Sequence, residues 1–125
     1  MRVVESSSLI LVVEDDPALR EMLVELLHED GLQVRAVTGA GDALRAVRET
    51  QFDLILSDIQ MPEMDGFELL AAVREVRPEA RVILMTSFGS SAFASRAELG
   101  GALAYLSKPF SREQLEAALQ LALAA

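Results

Sequence analysis

The sequence predicts an α/β domain in which five short strands alternate with five helices around a parallel sheet. Three observations carry that expectation. Short apolar runs recur along the chain: Leu9–Val13, Val34–Val37 after Gln33, Leu54–Leu56 after Asp53, Val82–Met85 and Leu103–Leu106. They are rich in Leu, Val and Ile with little polar alternation, the pattern of strands covered on both faces. Between them lie longer segments whose apolar residues return at helical spacing. Finally, 125 residues that are 51% hydrophobic and 25% charged suit one globular domain and leave no room for a second.

Each element has its own signals. Helix 1 is opened by Asp16 as N-cap and Pro17 in the first helical position. It carries Leu19, Met22, Leu23, Leu26 and Leu27 on one face and stops at Gly31. Ala40, Ala43, Leu44 and Val47 mark helix 2. Leu69, Leu70 and Val73 mark helix 3, introduced by Asp65-Gly66. Helix 4, over Ser90–Leu99, has only small apolar residues beside Phe93 and ends at Gly100-Gly101. Helix 5 begins with Ser111 and Gln114 in capping-box spacing and continues through Leu115, Ala118, Leu119, Ala122 and Leu123. Right-handed crossovers then give a flavodoxin-like, doubly wound (βα)5 sheet in the order 2-1-3-4-5. Residues 1–8 are expected to be an N-terminal extension and residues 9–125 the domain.

Composition narrows the function. The chain has no cysteine and a single histidine, His28, which removes thiolate chemistry, disulfides and multi-histidine metal sites. A net charge of −9 repels phosphodiester backbones, so direct nucleic-acid binding is not expected. The N-terminus has no signal-peptide pattern and no apolar run reaches membrane-spanning length, so a cytoplasmic protein without membrane contact is expected.

In open α/β sheets ligands gather beyond the carboxyl ends of the strands. There the sequence places Glu14-Asp15-Asp16 after strand 1, Asp58 after strand 3, Thr86-Ser87 after strand 4 and Lys108-Pro109 after strand 5. Glu14, Asp15 and Asp58 at one edge repel one another: two like charges 4 Å apart cost ~4 kcal/mol at an effective dielectric of ~20. Hard oxygen ligands of this kind suit Mg2+. Taken alone, Glu14-Asp15-Asp16 is equally a solvated helix start, where acidic residues are favoured by the helix dipole. Lys108 stands out as the one lysine among eleven basic residues, a compact mobile charge facing the carboxylates. Met61 and Met64 suit packing, and Pro62 and Gly66 serve as turn punctuation. His28 suits an exposed last turn of helix 1.

The set VVEDDP, LILSDIQMPEMDG, VILMTS and YLSKPF, in this order and spacing, resembles the response-regulator receiver domain of two-component signal transduction. The resemblance runs from about Leu9 to Ala124. It implies Asp58 as phosphoacceptor, with Asp15, Asp58 and the Gln60 backbone carbonyl as Mg2+ ligands and Glu14 acting through water. Mn2+ is the implied substitute for Mg2+. It also implies that Thr86 and Lys108 contact the phosphoryl oxygens and that Tyr105 is an aromatic switch. Gln60 and Phe88 fall at positions that tune phosphoryl lifetime. The implied partners are a sensor histidine kinase or histidine phosphotransfer domain and a downstream output domain or protein. Gly100–Tyr105 lacks the acidic pair, and the final LALAA the basic residues, of regulators that dimerise through helix 4, strand 5 and helix 5. That dimer is therefore not expected.

Three other readings compete. A Mg2+-dependent aspartyl-phosphate phosphatase would need an acidic residue where Gln60 stands. A flavin module would need a Ser/Thr/Gly-rich first loop instead of Glu14-Asp15-Asp16. A degenerate receiver acting only as an interaction module would not need Asp58, Thr86 and Lys108 together.

Overall fold

In the computed structural model, which describes residues 8–87, 89 and 91–124, the alternation is complete. The elements are β1 (Leu9–Val13), α1 (Pro17–Glu29), β2 (Gln33–Val37), α2 (Ala40–Glu49), β3 (Leu54–Asp58), α3 (Gly66–Val76), β4 (Val82–Thr86), α4 (Ser91–Leu99), β5 (Ala104–Ser107) and α5 (Arg112–Ala124). All pairings are parallel and the strand order is β2-β1-β3-β4-β5. The N-terminal extension expected over residues 1–8 lies, except for Ser8, outside the described residues.

Two apolar layers sandwich the sheet, because successive side chains of a strand point to opposite faces. Ile10, Val12, Leu54, Leu56, Ile83 and Met85 join α1 and α5 on one side. Their neighbours Leu11, Val13, Ile55, Val82 and Leu84 join α2, α3 and α4 on the other. This two-sided burial explains the unbroken apolar runs of β1, β3 and β4.

The edge strands depart from the expectation of full cover. No residue of β2 is buried, and in β5 only Leu106 is. Each has a neighbour on one side only, so polar residues such as Gln33 and Arg35 are tolerated there. Met22, placed on the buried face of α1 by periodicity, is 44% exposed; Leu23 and Leu27 fill that face instead.

The caps follow the sequence. Asp16 accepts a hydrogen bond from the Ala18 backbone N–H, and Pro17 opens α1. Gly31 takes the left-handed conformation (φ 85°) that ends the helix, as glycine does without a Cβ penalty. Asp65 and Glu68 form a reciprocal capping box at α3. Ser111 and Gln114 do the same at α5, at 3.0 and 2.8 Å. His28 is exposed in the last turn of α1.

One tie was not visible in the pattern. Arg112 reaches from the start of α5 to Glu29 (2.8 Å) and the buried Asp30 (3.1 Å) at the end of α1, and to Glu116 (3.2 Å). Those hydrogen bonds push the guanidinium pKa above its ordinary value. The two helices on that face are thereby fastened to each other as well as to the sheet.

Core truncation is expected to be expensive. Leu56→Ala removes a fully buried side chain at the centre of the sheet and should cost about 2–5 kcal/mol in urea denaturation. Met22→Ala should stay within about 0.5 kcal/mol of the wild type, as exposed positions do.

Candidate functional site

The strand register brings the chemistry together. Asp58 is the last residue of β3, Thr86 the last of β4, Glu14 follows β1 and Lys108 follows β5. Backbone pairing continues just past the strand ends and fixes these positions. Glu14 N–H donates to Val37 O (3.1 Å), Ile59 N–H to Met85 O (2.8 Å) and Lys108 N–H to Thr86 O (2.7 Å). The Lys108-Pro109 peptide is cis.

Carboxylate oxygens of Glu14, Asp15 and Asp58 lie within 4.8 Å of one another. Glu14 and Asp58 are buried and Asp15 is exposed. Lys108 answers the two buried acids: its ammonium donates to Glu14 Oε1 at 2.8 Å and lies 3.3 Å from Asp58 Oδ2. The other Glu14 oxygen accepts from Asp16 N–H at 3.1 Å, and Asp58 Oδ1 accepts from Gln60 N–H at 3.3 Å. Thr86, fully buried, donates its hydroxyl to Gln60 Oε1 at 2.6 Å.

The electrostatics follow from burial. Desolvation pushes the Glu14 carboxyl above its ordinary range, and the charge of Asp58 adds to that, against the opposing pull of Lys108. Burial alone would lower Lys108, but its hydrogen bond to Glu14 and the charge of Asp58 outweigh it, and the ammonium is held above its usual value. One lysine cannot neutralise three carboxylates. The donor set, hard oxygens with an excess of negative charge, fits a hard divalent cation.

Gly66 does more than punctuate a turn. A Cβ there would lie 2.7 Å from Asp58 O and 2.8 Å from Ile59 Cα, and its N–H donates to Ile59 O at 2.8 Å. The start of α3 is thus pressed against the backbone that carries Asp58. Met61 and Met64 pack on the α2–α3–α4 side, as their chemistry suggested.

Not every expected site residue joins the cluster. Tyr105 sits in register with Leu84, two positions before the Thr86–Ser107 pair. It packs half-buried on the α4 side. A Cβ at Gly89 would overlap Ser107 Oγ and lie 3.5 Å from the Tyr105 hydroxyl, so Gly89 lies close against strand β5. Phe88 and Ser90 lie outside the described residues.

A family model for the response regulator receiver domain matches residues 10–120. The chain belongs to the response regulator receiver family. Among curated proteins, this receiver is 36% identical over 118 residues to the DNA-binding transcriptional regulator NtrC of Azospirillum brasilense, covering 94% of the chain and 24% of that protein. It is 41% identical over 115 residues to the transcriptional regulatory protein ZraR of Escherichia coli K12, covering 92% of the chain and 26% of that protein. The chain therefore spans about a quarter of the length of these relatives. Among solved structures, a CheY-like response regulator receiver domain protein from Methanospirillum hungatei superposes with a TM-score of 0.88 at 31% identity, covering 94% of both chains. The beryllofluoride-activated NtrC4 receiver domain dimer matches with a TM-score of 0.89 at 30% identity, covering 93% of this chain and 96% of that one.

Two features of this receiver escaped the sequence reading: the Gln60 side chain on Thr86, and the close approach of Gly66 to Asp58. Both depend on where a turn folds back, which spacing along the chain does not encode. Gly66→Ala forces a Cβ into the Asp58–Ile59 backbone and should cost about 1–3 kcal/mol, as overpacking does. In NMR spectra the amides of Asp58 and Ile59 should shift, whereas Gly41→Ala, with open space around its Cβ, should leave them in place.

Proposed function

We propose that this receiver, residues 9–125, is a phosphorylatable switch in which Asp58 accepts a phosphoryl group from a phosphohistidine on a histidine kinase or histidine phosphotransfer domain. The observation that carries this is the placing of Asp58. It closes a central strand, buried but for 5% of its surface, with Lys108 3.3 Å from one oxygen and the two further acids alongside.

The chemistry is an in-line displacement. A carboxylate oxygen of Asp58 attacks phosphorus, the P–N bond to the imidazole breaks, and the imidazole nitrogen leaves with the bonding pair. Lys108, already between Glu14 and Asp58, turns its ammonium to the equatorial oxygens as negative charge builds there. Thr86 offers its hydroxyl from the neighbouring strand end. Asp15, Asp58 and the Gln60 carbonyl would hold Mg2+, or Mn2+ in its place, with Glu14 acting through water. The metal supplies charge neutralisation for the incoming phosphoryl group. The mixed anhydride that forms is later cleaved by water, so the domain catalyses its own charging and discharging and is a switch rather than a turnover enzyme.

The charged state is read out on α4, β5 and α5, with Thr86 and Tyr105 as the connecting residues. The receiver would act in the cytoplasm, coupled to an output domain or protein. Among the described residues no helix is long and apolar enough to cross a membrane. The phosphatase alternative is disfavoured by Gln60, whose side chain has no acid or base to offer a leaving group. A purely passive interaction module is disfavoured by the ion pairs of Lys108 with both Glu14 and Asp58.

Acetyl phosphate with Mg2+ should add one hydroxylamine-labile phosphoryl group, seen by intact mass, and Asp58→Asn should abolish it. A hydroxylamine-stable group on serine would overturn the aspartyl assignment. Mg2+ titration should saturate in the wild type and lose most of its signal in Asp15→Asn. Because burial raises Glu14, that carboxyl takes up a proton early as pH falls, so Mg2+ affinity should weaken on acidification; affinity unchanged in Asp15→Asn would remove Asp15 from the ligand set.

A further inference from the structure

The bond between Thr86 and Gln60 has a consequence for switching. A threonine hydroxyl carries one proton and can donate it to one acceptor at a time. In the resting receiver that proton goes to Gln60 Oε1, at 2.6 Å. Thr86 itself is fully buried, so water does not readily take the place of that acceptor. For Thr86 to bond a phosphoryl oxygen on Asp58 it must first leave Gln60.

We propose that Gln60 is a positioning residue that latches Thr86 in the resting state and so sets how much of the uncharged protein is already active. The proposal rests on Asp58 being the phosphoacceptor, and it adds a part that reading does not contain. The same residue touches both ends of the event. Its backbone N–H donates to Asp58 Oδ1 at 3.3 Å, while its side chain holds Thr86. The buried Ile59, whose N–H bonds Met85 O, fixes the turn so that Gln60 spans from β3 to the end of β4. A phosphoryl group on Asp58 competes for the Thr86 proton with charged oxygens, and charge-assisted hydrogen bonds are about twice as strong as neutral ones. It therefore opens the latch. Without phosphorylation no phosphoryl oxygen draws the Thr86 proton away from Gln60.

Removing the acceptor should shift the resting population without any phosphoryl group. A neutral hydrogen bond of ordinary net strength corresponds to an active-to-resting ratio raised about two- to tenfold. The test is amide NMR on the intact domain, using beryllofluoride with Mg2+ to define the active end. In Gln60→Met, the resonances of Ala97–Leu99 and of Tyr105, all distant in sequence from position 60, should move part-way along the line joining resting and beryllofluoride-bound wild type. In Gln60→Glu, which keeps an acceptor oxygen at the same reach, they should stay at the resting end. In a Thr86→Ala background, Gln60→Met should add nothing. The latch is overturned if Gln60→Met leaves those resonances at the resting positions, if Gln60→Glu moves them as far, or if the effect persists without the Thr86 hydroxyl. If beryllofluoride fails to move the wild-type spectrum, the phosphoacceptor reading itself falls and takes the latch with it, which separates the two failures.

Discussion

Three carboxylates crowded at one end of a parallel sheet are the constraint around which this molecule is organised. Left alone, Glu14, Asp15 and Asp58 would repel one another at a cost of several kcal/mol. The fold answers with Lys108, supplied from the far side of β4 by the return of the chain through β5. Removing that lysine leaves two buried acids facing each other, and burial already presses Glu14 toward its neutral form. The excess negative charge that remains is what makes the site receptive to a cation. It also keeps Asp58 from being an ordinary buried aspartate.

The rest of the architecture holds that cluster in register. β1, β3 and β4 are covered on both faces, so a one-residue slip would exchange the residues facing the α1–α5 layer with those facing the α2–α3–α4 layer. That specificity is what delivers Glu14, Asp58 and Thr86 to the same end of the sheet. The turn after β3 is fixed just as tightly. Gly66 packs against the Asp58 and Ile59 backbone where no side chain fits, and the Asp65–Glu68 box starts α3 immediately beside it.

Much of this was legible because it is local. The apolar runs located the strands, Asp16-Pro17 and Ser111-Gln114 located helix starts, and the residues at the ends of β1, β3, β4 and β5 are the ones that meet at one edge of the sheet. What was not legible depends on contacts made across the fold. Periodicity put Met22 on the inner face of α1, yet Leu23 and Leu27 already fill the space above the sheet and Met22 is left outside. The Val34–Val37 run reads as covered on both faces although the expected order 2-1-3-4-5 already makes strand 2 an edge, and with a neighbour on one side only β2 stays partly exposed. Asp30 and Arg112 are 82 residues apart, and nothing near either one in sequence announces the pair. Gln60 reads as a backbone metal ligand and as a position that tunes phosphoryl lifetime, but no side-chain partner is assigned to it, because Thr86 lies 26 residues away on β4.

The two helices flanking β5 differ in how firmly they are held, and this asymmetry gives the proposed switch a direction. α5 buries Leu115, Ala118, Leu119 and Ala122 and is further tied to α1 by Arg112. α4 buries only Ala97, supplemented by an edge-on contact of Phe93 with Phe67 (5.6 Å) and by Arg96 lying 4.0 Å over the same Phe67 ring. Aromatic and cation–π contacts of this kind contribute about 0.5–1.5 kcal/mol each, less than a buried leucine. An element with few buried apolar contacts reorganises at lower cost than its neighbours. Thr86 sits at the end of β4, immediately before the connection into α4, whereas Lys108 leads into α5. A change at the Thr86 hydroxyl would therefore meet the weakly anchored α4, and a change at Lys108 the more firmly anchored α5. In the proposed switch the charge cluster would be rebalanced on the α5 side without moving the scaffold, while the same event would be transmitted on the α4 side.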